Sequence, residues 1–441
     1  MPNLTTLLAI LQQSEYDFKY FNRWISEHSD DPTLIEPKNW SPKLKLIRFL
    51  TKLLKKLPGF SLTNSLKLAT SLTQPGEWLI RQSLYLRASL KLWRAKRQGL
   101  VVIAFAGSYG KTSTKKIAEH VLTQFNSTLA TAKSINTPLG IAQFVLSQLQ
   151  PTHKYLLVEL GEYYPGDILE LCRFIKPKLG VVCPVGRQHL ERMGNLGTIA
   201  ATVLELADYL KNQNSVLLHE SLKPFISQPN LWTWYGQSDI THWRLANASL
   251  SRSGTEGEIL TPSQKFHVFS PLFGAHQLVN SLPSLWLAHK LGLESEKAIK
   301  SLGATPYVPH RHEPTFADNN VLILDNGYNS NPDSALHSLE LLKKLPASSR
   351  IVITPGFVEL GETSQELHQA FGEQLVDNCD YLAILDSIDA AAIKRGWLKA
   401  GGKHDRIFLA ETQEAAILAL KDKIIPNSII LFENNLPEIY K

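Results

Sequence analysis

The sequence predicts an α/β protein in which a helical, basic N-terminal region precedes two domains with open, mainly parallel sheets. Short apolar runs rich in Val and Ile alternate with helical stretches over residues 99–308, and a second such series occupies residues 309–441. This alternation is typical of βα units. Residues 1–98 lack it, and a chain of 441 residues is long enough for two or three separate cores.

The composition excludes several classes of protein. Hydrophobic residues make up 44% and charged residues 20% of the chain, and no apolar run reaches the length of a transmembrane helix. Cys172, Cys183 and Cys379 are far apart, so neither a disulfide framework nor a zinc site is predicted. Because the N-terminus also lacks the pattern of a signal peptide, we expect a cytoplasmic protein.

The N-terminal region, residues 1–98, carries the basic charge of the chain. Residues 1–100 contain 16 Lys and Arg against 7 Asp and Glu, while the net charge of the whole chain is only +6. Helices are predicted here, with breaks at Pro37, Pro42, Pro58 and Pro75.

Residues 43–57 of this region are predicted to form a basic amphipathic helix. One stripe of this helix consists of Leu46, Leu50, Leu53 and Leu57. The helix could lie peripherally on the anionic inner surface of a membrane, or it could pack its leucines into its own domain. Nucleic-acid binding is not expected, because no recognised module accompanies the charge.

The central region, residues 99–308, is predicted to begin with strands at Leu100–Ala106, Tyr155–Leu160 and Leu179–Val182. Shorter strands are expected between Trp232 and Val268, followed by a helix from about Ala275 to Leu291. Three prolines then mark a domain boundary: Pro306, Pro309 and Pro314. The C-terminal region, residues 309–441, is predicted to be a Rossmann-like α/β domain with strands at Val321–Leu324, Arg350–Ile353, Tyr381–Leu385, Arg406–Leu409 and Ser428–Phe432.

The segment from Val101 to Ser113 predicts a phosphate-binding loop between a buried strand and a helix. Gly107 and Gly110 would let backbone N–H groups approach a polyphosphate at the positive end of the helix. Lys111 would neutralise the β and γ phosphates, and the Thr112 hydroxyl would bind Mg²⁺. Phe105 stands where a strict Walker pattern has glycine, so the loop is a shortened variant of a P-loop ATPase motif.

Other residues are candidates because of their position in the predicted elements. Glu159 ends a strand at the edge where open α/β sheets bind ligands, and its carboxylate is a suitable Mg²⁺ ligand. Asp325 also ends a strand and could bind ribose hydroxyls. Tyr328, Asn329 and Asn331 lie in a turn-rich loop that could bind substrate or simply cap the helix begun at Pro332.

These motifs resemble, in order, those of the Mur ligase family over residues 100–441. The loop Gly107-Ser108-Tyr-Gly110-Lys111-Thr112-Ser113 is similar to the family's GTxGKT loop. Further matching segments are Asn136-Thr-Pro-Leu-Gly140, Glu159-Leu-Gly161, His189-Leu-Glu191, Gly274-Ala-His276 with Asn280, Asp325 to Ser334, and Glu359-Leu-Gly361 with His368. The last two segments resemble most the type of ligase in the family that adds D-alanyl-D-alanine.

The resemblance implies an ATP-dependent ligase that activates a carboxylate as an acyl phosphate and joins it to an amine. ATP and Mg²⁺ would be the cofactors, and a UDP-muramyl peptide and a dipeptide or amino acid would be the substrates in peptidoglycan precursor synthesis. His189 would help to hold a second metal ion, Asn280 would lie near the adenine, and Arg311 would reach ATP from the C-terminal domain. Asn136 would contact substrate, and a monomer is expected.

Closure of the site is expected to require rotation of the C-terminal domain about residues 303–314.

Three departures from the family pattern leave other readings open. Val203 stands where many members carry a carbamylated lysine, and Pro355-Gly356-Phe357 replaces the family's Gly-Asp-Met. Residues 1–98 do not resemble the usual UDP-binding domain. The alternatives are a ligase for folate, polyglutamate or cyanophycin-type substrates, and a non-catalytic nucleotide-binding scaffold at the membrane surface.

Overall fold

The structure, a computed structural model, describes Leu7 and residues 42–54, 62–132, 135–328 and 330–435. The chain divides into two compact units, one containing the residues up to Arg87 and the other beginning at Ala88. The second unit contains both sheets.

Within residues 42–97, the structure describes the helices α1 (Pro42–Leu54) and α2 (Leu62–Arg97), which precede the first sheet. In α1, Ile47 and Thr51 are buried and Leu50 is half-buried, whereas Leu46 and Phe49 are exposed, so Leu46 of the predicted stripe does not face a core. The predicted break at Pro75 is wrong because α2 continues through it. A proline inside a helix removes one hydrogen bond, and a long helix can tolerate that loss.

Pro37, Leu57 and Pro58 lie outside the described residues. Among the residues that the structure describes, no helix combines the length and the apolar character needed to cross a bilayer.

The first sheet has nine strands in the order β2-β3-β1-β4-β5-β6-β7-β8-β9. These strands are β1 (Val101–Ala106), β2 (Thr128–Ala130), β3 (Tyr155–Glu159), β4 (Leu179–Val182), β5 (Val216–His219), β6 (Thr233–Gly236), β7 (Trp243–Ser251), β8 (Gly254–Leu260) and β9 (Lys265–Ser270). Neighbours from β2 through to β7 pair in parallel, and β7, β8 and β9 pair antiparallel.

The helices of this region are α3 (Lys111–Thr123), α4 (Pro138–Gln148), α5 (Asp167–Ile175), α6 (Leu190–Met193), α7 (Leu196–Leu210), α8 (Ala275–Lys290) and α9 (Ser295–Ser301). Helix α3 packs Ile117 and Val121 into the core, and α8 adds Leu282 and Trp286 to the same cluster. Burial on both faces explains why β1 is a continuous apolar run, as expected for a central parallel strand.

The second sheet has six strands in the order β10-β11-β15-β12-β13-β14. They are β10 (Glu313–Ala317), β11 (Val321–Asn326), β12 (Arg350–Thr354), β13 (Tyr381–Leu385), β14 (Ile407–Ala410) and β15 (Ile429–Glu433), with helices α10 (Pro332–Lys344), α11 (Ser364–Leu375), α12 (Ala390–Lys399) and α13 (Gln413–Ala419). Only β10 is antiparallel to its neighbour. Separate apolar clusters cover the two faces of the sheet.

The predicted fold class is confirmed, since two mainly parallel sheets alternate with helices. Strands β2, β5 and β10 were not predicted from the sequence. The predicted domain limits at residues 98 and 308 stay predictions.

Candidate functional site

The loop after β1 lies at the carboxyl end of the first sheet, and its shape requires glycine at the first position. Gly107 has a φ of 134°, and a β-carbon there would stand 2.7 Å from the β-carbon of Cys183. Gly110, with a φ of 77°, directly precedes α3. The Ser108 N–H donates to the Pro184 carbonyl at 2.9 Å, which fixes the loop beside the end of β4. The loop therefore leads into the start of a helix, where N–H groups can bind phosphate.

Lys111, the first residue of α3, forms a buried ion pair with Glu162. Its Nζ atom lies 2.6 Å from one carboxylate oxygen of Glu162 and 2.9 Å from the other, and it also donates to the Gly107 carbonyl. Burial raises the pKa of Glu162, and the charge of Lys111 opposes that effect. Glu162 was not predicted from the sequence, because the parallel pairing of β1 with β3 is what brings the residues after β3 to the loop.

A second buried pair lies beside the first. The Thr112 hydroxyl donates to Oε2 of Glu159 at 3.0 Å, and Lys115 Nζ lies 2.9 Å from the same oxygen. Burial lowers the pKa of Lys115, and Glu159 opposes that shift. Lys115 was also missed, although its spacing of four residues from Lys111 places both lysines on one side of α3. The predicted residues Lys111, Thr112 and Glu159 thus lie together.

His189 contacts the second sheet's domain. It precedes α6 with a φ of 55°, and its Nδ1 atom pairs with the Glu359 carboxylate. Arg192 adds a second contact to Glu359 at 3.1 Å, and the Tyr163 ring lies 5.2 Å from the His189 ring. In this arrangement His189 joins the two domains, and the metal-binding role that the resemblance implied stays a prediction.

A pocket of about 200 Å³ next to the loop is lined by residues of both domains. Asn280, on α8, is buried, and its Oδ1 atom lies 3.1 Å from where a β-carbon of Gly110 would stand. Arg311 enters from the segment before β10, with its guanidinium carbon 5.1 Å from the centre of the Tyr328 ring. The other lining residues are Tyr109, Ser113, Pro184, His219, Glu220, Gln237, His276, Gln277, Val279, His312, Asn326, Ser334 and His337.

Three histidine rings from the two domains meet at this pocket. The ring of His276 lies 4.9 Å from that of His312 and 5.4 Å from that of His337. Burial lowers the pKa of all three, to about 3 for His312, and their mutual proximity adds to the effect for His276 and His312. The rings are therefore neutral at physiological pH. Only His276 belonged to a motif that the sequence analysis used.

Asp325 lies at the end of β11, as predicted, and is already hydrogen-bonded. Its carboxylate lies 2.7 Å from His310 Nδ1 and accepts from the Gly327 N–H at 2.8 Å. Tyr328 follows with an exposed ring. Asp325 and Tyr328 remain candidates for ligand contacts made by the C-terminal domain.

Asn331 caps α10, which is the structural alternative considered for this loop. Its Oδ1 atom accepts from the Ser334 N–H at 2.9 Å, and Ser334 bonds back to the Asn331 N–H. Asn329 lies outside the described residues. Asn136 lies beside the end of β3, where its carbonyl accepts from the Gly161 N–H at 2.9 Å.

The donor set around Lys111 suits a nucleotide phosphate with Mg²⁺. Magnesium prefers oxygen ligands and keeps several waters, and the Thr112 hydroxyl and the Glu159 carboxylate provide two such oxygens. The Ser108 hydroxyl is buried and makes no hydrogen bond to any described residue. The residues present therefore fit both groups.

Fold and site together define a two-domain α/β protein with a P-loop, in which both domains line one pocket. The family model of the Mur ligase middle domain matches residues 105–288, and that of the Mur ligase glutamate ligase domain matches residues 310–433. The chain belongs to the Mur ligase family.

Two similar proteins carry the name UDP-N-acetylmuramoyl-tripeptide–D-alanyl-D-alanine ligase. The Escherichia coli protein is 27% identical over 290 residues, which cover 64% of this chain and 64% of that protein, less than two thirds of its length. The Synechocystis protein is 27% identical over 353 residues, covering 77% of this chain and 73% of the relative.

Solved structures show the same fold. MurF from Acinetobacter baumannii superposes with a TM-score of 0.71 at 22% identity, covering 80% of this chain and 77% of the other. MurF from Thermotoga maritima in complex with ADP superposes with a TM-score of 0.71 at 24% identity, covering 80% of each chain.

The departures noted in the sequence have structural counterparts. Val203 lies on α7 and is fully buried, and its hydrocarbon side chain offers no ligand atom. Phe357 is buried against His368, whose Nε2 atom accepts from the Phe357 N–H at 2.8 Å. Both family models begin after residue 104, so neither accounts for the N-terminal region.

Proposed function

We propose that this protein is an ATP-dependent ligase that joins a carboxylate to an amine through an acyl phosphate. The observation that carries the proposal is the position of the phosphate loop, with Lys111, Thr112 and Glu159, beside a pocket that both domains line. ATP phosphates would bind at the loop of one domain, while the other domain contributes Arg311 to the pocket beside it. The family membership supports the same reaction class.

The chemistry divides between substrate activation and amide formation. A substrate carboxylate oxygen attacks the γ phosphorus and ADP leaves; the amine then attacks the acyl carbon, phosphate leaves, and the amine loses a proton. Lys111 would neutralise phosphate charge, and Thr112 and Glu159 would hold Mg²⁺, which supplies further charge neutralisation when bound. Catalysis of this kind depends mainly on positioning and electrostatics.

We propose that the substrates are a UDP-muramyl peptide and D-alanyl-D-alanine, because the similar curated proteins carry that name. Asn136 and Tyr328 would contact substrate, and so would Asn329. Asn280 would lie near the adenine, and Asp325 would bind the ribose. The cytoplasm would then be the site of the reaction.

The test is ATP-dependent phosphate release by the purified full chain with UDP-muramyl-tripeptide and D-alanyl-D-alanine. We expect release that requires both substrates, detection of the amide product by mass spectrometry, and loss of activity in Lys111→Ala. Release that proceeds without the dipeptide, or persists in the variant, would contradict the proposal.

A different carboxylate substrate is the second candidate, favoured by an N-terminal region that lies outside both family models. Binding of an ATP analogue without phosphate release on the muramyl substrates would shift the assignment to it. The next assay would then use folate, polyglutamate and cyanophycin-type acceptors. If the protein is inactive with every one of these substrates but binds vesicles, the non-catalytic nucleotide-binding scaffold at the membrane surface would be favoured.

We also propose a peripheral membrane contact through α1. Leu46 and Phe49 are 47% and 64% exposed, and Lys52 is exposed on the same helix. Exposed apolar residues beside basic ones suit an anionic interface. The full chain should float with anionic vesicles, and Phe49→Glu should reduce flotation, whereas Phe316→Glu, at an exposed position on β10, should not. Equal flotation of both variants would exclude this surface.

A further inference from the structure

Two carboxylates and two lysines form a buried group at the phosphate loop. Glu162 pairs with Lys111 and Glu159 pairs with Lys115, and the side chains of all four are at most 10% exposed. The charges cancel within the group. Each carboxylate would be strongly unfavourable in this surrounding without a cation beside it.

The backbone holds both carboxylates in fixed positions. The Leu160 N–H donates to the Phe105 carbonyl and the Gly161 N–H donates to the Asn136 carbonyl, each at 2.9 Å. Gly161 cannot be replaced without displacement, because a β-carbon there would stand 2.9 Å from the side chain of Asn136. The turn after β3 therefore brings Glu159 and Glu162 to the same phosphate loop.

Nucleotide binding would disturb this balance, and this step rests on the proposed function. Lys111 has one ammonium group, which contacts Glu162 in the structure. When that group engages the nucleotide phosphates, Glu162 loses its cation. Lys115 is not a substitute, because it is buried against Glu159.

We propose that Glu162 is a ligand for a divalent cation that binds together with the nucleotide, in addition to the ion held by Thr112 and Glu159. Carboxylate oxygen is the donor that Mg²⁺ and Mn²⁺ prefer, and two such ions commonly share one phosphoryl-transfer site. The Ser108 hydroxyl, buried and without a hydrogen bond among the described residues, lies in the same loop as a further polar group. The hydrocarbon side chain of Val203 offers no ligand atom, whereas the Glu162 carboxylate lies at the phosphate loop against Lys111.

The experiment is a Mn²⁺ titration of the full chain, followed by electron paramagnetic resonance, with a non-hydrolysable ATP analogue present. Wild type should bind two Mn²⁺ per nucleotide, and Glu162→Gln should weaken the second by about tenfold or more. Glu162→Asp, which keeps the carboxylate, should retain the second ion. The control Glu170→Gln removes an exposed carboxylate on α5 and should match wild type.

Two results would overturn this inference alone. One is a single Mn²⁺ in wild type with nucleotide bound, which leaves the proposed ligase function standing. The other is unchanged Mn²⁺ binding in Glu162→Gln with tighter nucleotide binding, which would make Glu162 only a counter-ion for Lys111. Failure of the wild type to bind the nucleotide at all would overturn both this inference and the proposed function.

Discussion

Gly107 shows how one residue determines whether the phosphate loop can form. A side chain at this position meets both the strained φ of 134° and the side chain and carbonyl of Cys183, at 2.7 and 2.8 Å. Gly292 also has a positive φ, of 68°, but has nothing within 4 Å of its missing β-carbon. Gly107 therefore combines a steric collision with a φ that glycine alone adopts readily, whereas Gly292 shows left-handed backbone strain without a collision.

Gly107→Ala should destabilise the protein more than Gly292→Ala and should also abolish binding of an ATP analogue. Gly292→Ala, the control, should lower the free energy of unfolding by about 1–2 kcal/mol because of its backbone conformation. The collision at Gly107 should lower it by about 1–3 kcal/mol more. Urea denaturation and calorimetric titration would measure the two effects. Equal losses in the two variants would mean that Cys183 moves aside.

The Lys115–Glu159 pair should show the energetics of a buried charge. The two side chains are 0% and 4% exposed. Lys115→Met should destabilise by about 3–5 kcal/mol because it leaves Glu159 without its cation, and adding Glu159→Gln should recover part of that loss. Lys116→Met, which breaks a partly exposed pair with Glu119, should change stability by less than about 1 kcal/mol. Urea denaturation of the four proteins would decide; a double variant less stable than Lys115→Met would contradict this account.

Among single residues, local sequence order predicted where Lys111, Thr112 and Glu159 lie, and their roles stay predictions. Lys111 and Thr112 follow a glycine loop, and Glu159 ends an apolar run, so each could be found without the fold. Glu162 and Lys115 could not, because their partners lie 51 and 44 residues away and meet them only through strand pairing.

Among the elements, α10 combines a structural and a proposed functional role at its first turn. Asn331 caps the helix through Ser334, and its side-chain nitrogen is buried with no hydrogen bond among the described residues. Capping of the helix is enough to explain an asparagine at position 331. Contact with a ligand would also explain why its side-chain nitrogen makes no hydrogen bond among the described residues.

Asn331→Ser and Asn331→Ala should separate these roles. The alanine variant should lose about 1 kcal/mol of stability, while serine should restore the cap. If Asn331 also binds substrate, both variants should raise the KM for the muramyl peptide, which phosphate-release kinetics would measure. A normal KM in Asn331→Ser would limit the residue to capping.

Strands and helices were predictable where the apolar pattern is long. The runs that became β1, β3 and β13 are bounded by turn residues and buried on both faces, so their pattern is clear. By contrast, β2 has only three residues, and β10 is a half-exposed edge strand containing Pro314, which reads as a boundary. The exposure of Leu46 was not predictable, because helical periodicity shows which residues share one face of a helix but not what packs against that face.

At the scale of the whole molecule, three histidine rings lie where the two domains meet, and their burial should make the stability of the protein depend on pH. His276, His312 and His337 have pKa values lowered by burial, so they stay neutral in the folded protein. The unfolded chain takes up protons below about pH 6.5, and stability should therefore fall as the pH falls from there towards 3. The negative charges of Asp333 and Glu340 partly oppose the lowering of the His337 pKa, and the positive charge of Arg311 lowers the His312 pKa further.

His312→Gln should reduce the acid destabilisation, and the exposed His404→Gln should not. With a folded pKa of about 3, His312 alone should account for about 2 kcal/mol between pH 6.5 and pH 5. Urea denaturation at several pH values would measure the slope for each protein. If the free energy of unfolding depends on pH equally in wild type and His312→Gln, burial of the neutral His312 ring does not cause the acid destabilisation.

The order of the domains followed from the sequence, but the contacts between them did not. Arg187 binds Asp333 with a 2.6 Å ion pair, and His189 meets Glu359, across more than 140 residues of chain. The predicted rotation about residues 303–314 stays a prediction, and these pairs are the contacts that it would have to break.

The position of β15 has a consequence for how this protein is made. Residues 429–433 come last among the described strands, yet they lie between β11 and β12 and pair with both. During translation the second sheet therefore waits with a gap at its centre until this segment has left the ribosome exit tunnel. Until then the open edges of β11 and β12 are available to chaperones or to other chains. A premature stop codon only slightly before residue 429 should therefore be as damaging as one much earlier in the domain.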